Sequence, residues 1–388
     1  MTDTARPVTI APRPRTQPPL TQGHAEELLA GIDRGVALPT AWYSDPDLFD
    51  AELEGLHRRA WHYVAHVGMI PEPGDVLPSE LARVPIVLVR GSDGDVRGFL
   101  NICRHRGHTV VLEPGRQRRL TCQYHAWTYG LDGALLGAPR SRGDDLFDPE
   151  AHGLVPIQVR VWGPTVWANI DLSAPSFDQW IEGMPERLAA NGLTIDDCEY
   201  GFDHVWDIDA NWKVFQDNTI ECYHCPSTHP ELSKALEMRP SLQEMYMDST
   251  YWLWHRIPFR EGMTEGLTYR AREGEDRAVY YYHWVFPTTY LQYAGKGFDI
   301  GSVKVVAPDR IRFHHTCFMP KGTPPDVIET GQQVLPLDAT ILQDVDICKR
   351  VQASHASGVA PRGRMLAEPE WLIRRINRLV VEMTAGLR

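Results

Sequence analysis

The sequence predicts an α+β protein in which an antiparallel, turn-rich β domain precedes a larger domain whose antiparallel sheet is covered by helices. Between Trp61 and about Val161, short alternating or β-branched runs are separated by proline and glycine, a pattern typical of antiparallel strands joined by turns. After Val161, helix-like segments alternate with strand-like runs. That order favours a separate α+β domain.

The first 40 residues are expected to be a mobile tail and a leading helix. Five prolines among Thr and Arg in residues 1–20 leave too little apolar surface to order that stretch. Leucine and isoleucine at helical spacing predict a helix over 22–35, and a second helix is expected to continue to Trp61. Both helices are expected to lead into the first domain.

The two domains are predicted to occupy residues 41–162 and 163–388. In the second domain we expect an acidic helix, three strand-like runs and a closing helix, over 176–191, 280–293, 300–306, 311–318 and 368–387 respectively.

Composition excludes several classes of protein. The net charge of -12 argues against nucleic acid or an anionic membrane as a partner, which leaves small molecules and proteins. No run approaches the roughly 18 apolar residues of a membrane span, and the N-terminus lacks the apolar core of a secretory signal, so we expect a cytoplasmic protein. Seven cysteines, an odd number, indicate reduced thiols and metal ligands instead of a disulfide framework.

Two short segments of the β domain carry the ligand set of a Rieske [2Fe-2S] centre. Cys103 and His105 are followed after 16 residues by Cys122 and His125. A Rieske centre needs two thiolates on one iron and two imidazoles on the other. A tetrahedral zinc site is the alternative, although zinc sites of this composition usually pair Cys with Cys and His with His.

A second candidate metal site lies in the larger domain. His224 and His229 are five residues apart, on and after a helix predicted to end near Pro226. A mononuclear ferrous site needs two imidazoles and one carboxylate on one face, with the opposite face open to dioxygen. Isolated histidines are often ordinary surface or core residues, but their company with the Rieske-type ligands favours iron. The carboxylate must come from elsewhere in the chain.

Glu221 precedes His224 by three residues, which would place both on one face of the predicted helix. Metal-binding imidazoles generally donate their second nitrogen to a carboxylate. Glu221 is therefore a candidate orienting group, with a solvated surface charge as the alternative.

These segments resemble the Rieske non-haem iron oxygenases, namely the ring-hydroxylating oxygenase alpha subunits and the choline and glycine-betaine monooxygenases. The resemblance rests on Cys103-Arg-His105-Arg-Gly-His108 and Cys122-Gln-Tyr-His125-Ala-Trp-Thr-Tyr. It departs at Gln123, where proline is more common, and at His108, where a small residue is common. Neither position is a ligand.

The resemblance implies a Rieske domain over 41–162 and a catalytic mononuclear-iron domain over 163–388. It implies that Asp344 is the carboxylate ligand, with Asp346 in reserve. It also implies a homotrimer in which Glu221 connects His224 to His125 of the partner subunit. Glu221 followed by Cys-Tyr-His-Cys looks most like the enzymes that act on quaternary amines.

By the same resemblance, the chain is expected to be an oxygenase that hydroxylates or oxidatively N-demethylates a small molecule, favouring a quaternary amine or betaine. Mono- or dioxygenation of an aromatic ring is the alternative within the family, and a non-catalytic Rieske electron carrier is the alternative outside it. The sequence has no Gly-x-Gly-x-x-Gly loop after a strand, so electrons from NAD(P)H must arrive through a separate reductase, with or without a ferredoxin.

Two further patterns leave a choice between core and function. Cys222 and Cys225 form a Cys-x2-Cys pair. We predict that both are small buried hydrophobic residues and do not form a redox motif. The aromatic stretches over 251–254 and 280–287 are strand core by default, but aromatic faces also hold cations or stack on aromatic substrates. The family often has Asn at the position of Thr288.

Overall fold

The computed structural model describes residues 20–239, 243–247, 249–261, 279–335 and 338–387. They form two compact units, one made of Arg58–Ala174 and the other of residues 20–57 and 175–387. The expected mobile tail lies outside the described residues apart from Leu20.

The first unit is built almost entirely from antiparallel strands. A seven-stranded sheet has the order β1-β10-β9-β4-β3-β2-β5, and a three-stranded sheet has the order β6-β7-β8. The strands are β1 (His62–His66), β2 (Asp75–Leu81), β3 (Val84–Arg90), β4 (Val96–Leu100), β5 (Gly115–Arg116), β6 (Leu120–Thr121), β7 (Thr128–Tyr129), β8 (Leu135–Gly137), β9 (Pro156–Trp162) and β10 (Thr165–Asn169).

One core of this unit packs directly around two cysteines. Val87, Val89 and Phe99 are buried together with Cys103 and Cys122. Inward-facing β-branched and aromatic residues of the strands thereby fix the base of the two loops that carry the predicted cluster ligands.

The second unit contains an antiparallel sheet with the order β11-β17-β16-β15-β14-β13-β12. These strands are β11 (Cys198–Ile208), β12 (Glu244–Tyr246), β13 (Trp252–Pro258), β14 (Val279–Val285), β15 (Thr289–Tyr293), β16 (Phe298–Ala307) and β17 (Arg310–Pro320). The predicted fold class is confirmed.

The α-helices of the described residues all belong to the second unit. They are α1 (Gln22–Asp33), α2 (Pro46–Gly55), α3 (Phe177–Trp180), α4 (Met184–Ala190), α5 (Trp212–Thr219), α6 (Cys225–Thr228), α7 (Pro230–Ala235), α8 (Pro325–Val334), α9 (Ala339–Ala356) and α10 (Trp371–Thr384). None of them is both long and apolar enough to cross a membrane. The cytoplasmic location stays a prediction.

The boundaries of the two units differ from the expected domain boundaries at both ends. Residues 41–57 were expected in the Rieske domain, yet α1 and α2 pack on α10 of the second unit. Residues 163–174 were expected in the catalytic domain, yet they belong to the first unit because β10 pairs with β1 and β9. The two leading helices therefore do not extend the β domain.

Local sequence explains where some predicted elements are interrupted. The acidic helix expected over 176–191 is divided into α3 and α4 at Gly183, whose φ of 81° lies in the left-handed region that glycine adopts without strain. The second leading helix ends at Gly55 instead of Trp61. The run expected over 280–293 is a pair of strands, β14 and β15, joined by a turn.

Candidate functional site: two metal centres

The four predicted cluster ligands come together at the tips of two loops in the first unit. The thiols of Cys103 and Cys122 are buried at 3% and 2% exposure. The rings of His105 and His125 meet edge to face with centroids 4.6 Å apart, and both residues are exposed. The site therefore presents imidazoles outward and keeps its thiols inside the core.

Each loop is closed by the same type of backbone hydrogen bond, which spans four residues. The N–H of Gly107 donates to the carbonyl of Cys103, and the N–H of Ala126 donates to that of Cys122, each at 3.0 Å. Gly107 and Ala126 have φ of 72° and 58°. A left-handed alanine costs about 1–2 kcal/mol, so the surrounding loop must hold Ala126 in place.

Two aromatic side chains support the ligands. The phenol oxygen of Tyr129 accepts from the N–H of Arg104 at 3.0 Å and lies 3.3 Å from Sγ of Cys103. Its own proton is therefore available to the sulfur. Trp127 stacks on His105 with ring centroids 5.0 Å apart and an interplanar angle of 6°.

A Rieske cluster fits this arrangement. Burial raises the pKa of the Cys122 thiol, while the N–H groups of Tyr124 and His125 donate towards its sulfur and lower that pKa. Such N–H donors would stabilise a thiolate and tune the cluster it holds. The buried sulfurs and exposed imidazoles match one sulfur-ligated and one nitrogen-ligated iron.

The second centre lies in the other unit, where three predicted ligand atoms converge. Nε2 of His229 lies 3.2 Å from Nε2 of His224 and 3.0 Å from Oδ1 of Asp344. Nε2 of His224 lies 3.5 Å from the same oxygen. An octahedral ion with ligands at about 2.1 Å separates neighbouring donors by about 3 Å, so the three atoms fit one face of such an ion.

The backbone reaches this geometry by a route that the sequence analysis did not predict. The helix expected to end near Pro226 ends at Thr219 instead, and His224 and His229 flank the short helix α6. A continuous helix is disfavoured because the Glu221 carboxylate accepts from the backbone N–H groups of Tyr223 and His224, which would otherwise donate within the helix. Pro226, which has no N–H, fits the first turn of the new helix α6. The prediction of one continuous helix was wrong.

Glu221 nonetheless contacts His224, through a tight loop and not through helical spacing. One carboxylate oxygen, Oε1, lies 2.5 Å from Nδ1 of His224. The other oxygen, Oε2, accepts from the backbone N–H groups of Tyr223 and His224. This carboxylate can hold the proton on Nδ1 and leave Nε2 unprotonated for a metal.

Asp344 lies on α9 and faces the histidines, whereas Asp346 does not. The carboxylate of Asp346 is exposed and forms an ion pair with Arg350 at 2.8 Å. The resemblance-based choice of Asp344 thus agrees with the geometry, although the metal-binding role of all three residues stays a prediction.

Two neighbours of the site have contacts that the sequence did not predict. The amide of Asn218 donates to Oδ1 of Asp344 at 2.8 Å. The amide of Gln343 lies 2.8 Å from Nδ1 of His229. In one orientation the Gln343 amide oxygen accepts from a protonated Nδ1 of His229. With the amide turned by 180°, its nitrogen donates to the carbonyl of Thr228. A metal bound to Nε2 of His229 would require a proton on Nδ1 and so would select the first orientation. The only sequence signal for these contacts was that both residues lie close in sequence to predicted ligands.

The electrostatics of this centre favour a cation. Burial lowers the pKa of His224, but hydrogen bonds to Asp344, Cys225 and Glu221 outweigh it and raise that pKa to about 12. Burial raises the pKa of Asp344, but hydrogen bonds from His224 and His229 hold it below its usual range. A site with this preference binds protons or a metal ion, and the two compete.

Cys225 is a poor candidate for a further ligand. Its Sγ lies 3.9 Å from Nε2 of His224, but the hydrogen bond to Cys222 and its burial raise the pKa of its thiol well above the usual range. Cys225 packs with Leu236 and Ile257 in an apolar cluster. It behaves as the small buried hydrophobe that the sequence analysis predicted.

The helix α5 is held in place by α2 and by Tyr43, which precedes α2. Lys213 of α5 and Glu52 of α2 form an ion pair at 2.7 Å, both with fully buried side chains. Trp212 also donates to Glu52 at 2.7 Å, and Tyr43 donates to Asp217 at 3.1 Å. Satisfied buried polar groups of this kind fix one arrangement of the backbone, and α5 carries Asn218 towards Asp344.

Comparison with known proteins decides the family. Residues 60–156 match the Rieske [2Fe-2S] domain. Residues 195–386 match the catalytic domain of the ring hydroxylating alpha subunit. The chain belongs to the Rieske non-haem iron oxygenases.

Two curated relatives are oxygenase subunits of monooxygenases. The carnitine monooxygenase oxygenase subunit of Acinetobacter baumannii is 32% identical over 230 residues, which cover 59% of this chain and 61% of the relative. The glycine betaine monooxygenase oxygenase subunit of Pseudomonas aeruginosa is 33% identical over 211 residues, covering 54% of this chain and 48% of the relative. The chain thus spans less than two thirds of these relatives.

Among solved structures, the quaternary ammonium Rieske monooxygenase CntA in complex with an inhibitor has a TM-score of 0.79. It is 24% identical, and the match covers 92% of this chain and 98% of that chain. The likeness is one of fold. Together with the family matches it confirms the resemblance, the fold class, and a Rieske cluster and mononuclear iron as the cofactors of the family.

Proposed function

We propose that this Rieske oxygenase is the oxygenase component of a multicomponent monooxygenase that uses dioxygen to hydroxylate or oxidatively N-demethylate a quaternary amine or betaine. The convergence of His224, His229 and Asp344 at 3.0–3.5 Å carries the proposal. An electron carrier does not require a second metal centre, so the presence of these three convergent side chains favours an enzyme. The printed names of the relatives, carnitine and glycine betaine monooxygenase, support the substrate class.

In this proposal the first unit holds the cluster through Cys103, His105, Cys122 and His125, and the second unit holds iron through its two histidines and Asp344. When bound, these metals supply one-electron transfer and the reduction of dioxygen.

The residues of the chain set the protonation and direction of the ligands. Glu221 accepts from Nδ1 of His224, so Nε2 is directed to the metal. Asn218 donates to the coordinating oxygen of Asp344, which restricts that carboxylate to one orientation. The remaining face is left for dioxygen and substrate.

We also propose that the two centres work in pairs across a homotrimer, with Glu221 of one chain between His224 and His125 of the partner subunit. The family resemblance supports this arrangement. The exposure of His125 and the contact of Glu221 with His224 are compatible with it. A separate reductase, with or without a ferredoxin, would bring electrons from NAD(P)H to the cluster.

The test is a coupled turnover assay. The reconstituted protein, a surrogate Rieske reductase and NADH are incubated with carnitine, glycine betaine or choline, and with simple aromatic hydrocarbons as the comparison. We expect oxygen-dependent product from at least one quaternary amine. Product from the hydrocarbons alone would replace the proposed substrate class with aromatic hydroxylation.

A further inference from the structure

A polar cluster without a complete set of hydrogen bonds lies beside the last turn of α5. The phenol of Tyr43 donates to Oδ2 of Asp217 at 3.1 Å. The second oxygen of that carboxylate, Oδ1, is buried and has no hydrogen-bond partner among the described residues. An ionised carboxylate is costly in this position, because one of its oxygens accepts no hydrogen bond.

Two neighbouring amides can accept a proton from this carboxyl group. Gln216 of α5 and Asn377 of α10 lie close to Asp217. Both residues are fully buried, and their side-chain oxygens have no hydrogen-bond donor among the described residues. A protonated carboxyl group has one O–H donor. A proton on Asp217 would therefore supply a donor where several acceptor oxygens lack one.

The charges around Asp217 do not compensate for its ionisation. Lys213, one turn earlier on α5, already forms a fully buried ion pair with Glu52 at 2.7 Å. Asp217 also lies at the C-terminal end of α5, where the helix dipole disfavours a negative charge. Burial raises the pKa of Asp217 to about 7, although the hydrogen bond from Tyr43 and the charge of Lys213 lower it.

The groups that α9 directs at the cluster favour uncharged forms. The ring of His355 stacks on Tyr43 with centroids 4.1 Å apart, and burial lowers the pKa of its imidazole. Cys348 is fully buried, and burial raises the pKa of its thiol. Neither group therefore supplies a positive charge that would stabilise the carboxylate of Asp217 at neutral pH.

The same helices connect this cluster to the proposed iron ligands. Cys348 of α9 lies within electrostatic range of both Asp217 and Asp344, and α5 packs on α9. The residue after Asp217 is Asn218, whose amide donates to Oδ1 of Asp344 at 2.8 Å. A displacement of the last turn of α5 would therefore change the contact between Asn218 and Asp344.

We propose that Asp217 is a positioning residue of the mononuclear centre, and that a proton on its carboxylate sets how firmly α5 holds Asn218 against Asp344. The inference rests on the proposed ligation of iron by Asp344 and is independent of the substrate. The protonated carboxyl group can complete the hydrogen bonds of the cluster and fix the last turn of α5. The ionised form leaves a buried charge without compensation, which loosens that turn.

The pH dependence has a defined sign. The pKa of Asp217 is about 7 in the folded chain, whereas an aspartate in an unfolded chain titrates near about 3.9. The stabilisation by the proton is fully present below about pH 4 and is lost as the pH rises through about 7. Above about pH 8 both states are ionised, so no further loss follows.

The first measurement is urea unfolding of the wild-type holoenzyme and of Asp217→Asn, under anaerobic conditions. The unfolding constant of the wild type is divided by that of the variant, so that contributions of other titrating groups cancel. We expect this ratio to rise by up to about tenfold per pH unit from about pH 5 and to level off above about pH 8. Asp346→Asn, which changes an exposed carboxylate of α9, should not show this rise.

The second measurement follows removal of the mononuclear iron by a ferrous chelator. Above about pH 8 the wild type should lose this iron about tenfold faster than Asp217→Asn, the lower end of the range for residues that orient a ligand. Near about pH 5 the two proteins should lose it equally fast, because Asp217 is then protonated. The cluster absorbance should persist in both and serves as the internal control.

Tyr43→Phe tests the titrating group without changing the carboxylate. It keeps the ring that stacks on His355 and removes the hydroxyl that donates to Oδ2 of Asp217. Because this hydrogen bond stabilises the ionised form, its loss should move the pH transition of stability and of iron release to higher pH. This shift decides the matter if Asp217→Asn does not fold.

The outcomes separate this inference from the proposed function. A stability ratio that does not change with pH, with iron bound normally, would overturn the titration of Asp217 and leave the function intact. A pH-dependent ratio with equal iron release at every pH would overturn the positioning role. Protein that binds no mononuclear iron, yet keeps the pH-dependent ratio, would overturn the proposed iron site and support the titration of Asp217.

Discussion

The two proposed metal centres of this member of the Rieske oxygenase family are assembled in different ways. The proposed cluster ligands all lie within residues 103–125, in two loops that each close through their own backbone hydrogen bonds. The proposed mononuclear ligands come from the two ends of α6 and from α9, which are far apart in sequence. One centre therefore depends on local loops, and the other depends on tertiary packing. Changes to helix packing should damage the second centre and spare the first.

The largest effect is expected from removing the carboxylate ligand. Asp344→Ala should abolish product and lower the iron content by about one per chain, because the site loses its anionic donor. The Rieske absorption and EPR spectra should stay unchanged.

Asp346→Ala is the matched control, since Asp346 lies on the same helix but pairs with Arg350 at the surface. It should keep both metals and its turnover. Equal turnover of the two variants would show that Asp344 is not a ligand of the mononuclear iron.

The second-largest effect is expected from a change in helix packing, which should destabilise the mononuclear centre but not the cluster. Lys213→Met leaves Glu52 buried without its cation, which should destabilise the second unit by about 3–5 kcal/mol. In urea, the mononuclear iron should be lost at lower concentrations than in the wild type, while the cluster absorbance persists.

The double variant Glu52→Met, Lys213→Met provides the control, because apolar replacement of both partners removes the stranded charge. It should recover much of the lost stability. Loss of the cluster together with the iron in Lys213→Met would contradict the independence of the two centres.

A smaller effect should appear at the proposed connection between the centres. Glu221→Gln should keep both metals but slow electron transfer from cluster to iron by about 10–100-fold, the range expected for a residue that orients a ligand. Single-turnover rapid mixing would measure the rate. An unchanged rate would exclude Glu221 from the path.

The smallest effect concerns the cluster alone. Tyr129→Phe removes the hydroxyl 3.3 Å from Sγ of Cys103 and should lower the reduction potential, since hydrogen bonds to the sulfurs favour the reduced cluster. A difference of about 1 kcal/mol corresponds to about 40 mV for one electron. Protein-film voltammetry would detect it, and a potential equal to that of the wild type would contradict the donor role of Tyr129.

The same contrast explains what the sequence could predict. The Cys-x-His and Cys-x2-His segments form short loops, so their spacing favoured a Rieske cluster over the alternative of a zinc site. Asp344 could be named only through family resemblance, because its distance from His224 depends on how α9 packs beside α5. Alternation and turn residues predicted the sheets well.

The errors arose where local pattern and packing disagree. Residues 41–57, with the second leading helix, were assigned to the β domain because they precede it in sequence, whereas the buried pair of Glu52 and Lys213 ties that helix to α5. The helix through His224 was overextended because Pro226 was taken to mark its end, whereas the helix ends at Thr219 and the side chain of Glu221 accepts from the next backbone N–H groups, those of Tyr223 and His224. No periodicity reveals partners such as Asn218 and Gln343, which contact the site from two different helices.

The most direct test is metal and sulfide analysis of anaerobically reconstituted protein. Two unlike iron centres predict about three irons and about two acid-labile sulfides per chain, with a Rieske EPR signal after reduction. Protein without sulfide, or with fewer than about three irons after full reconstitution, would contradict the presence of both centres in this polypeptide.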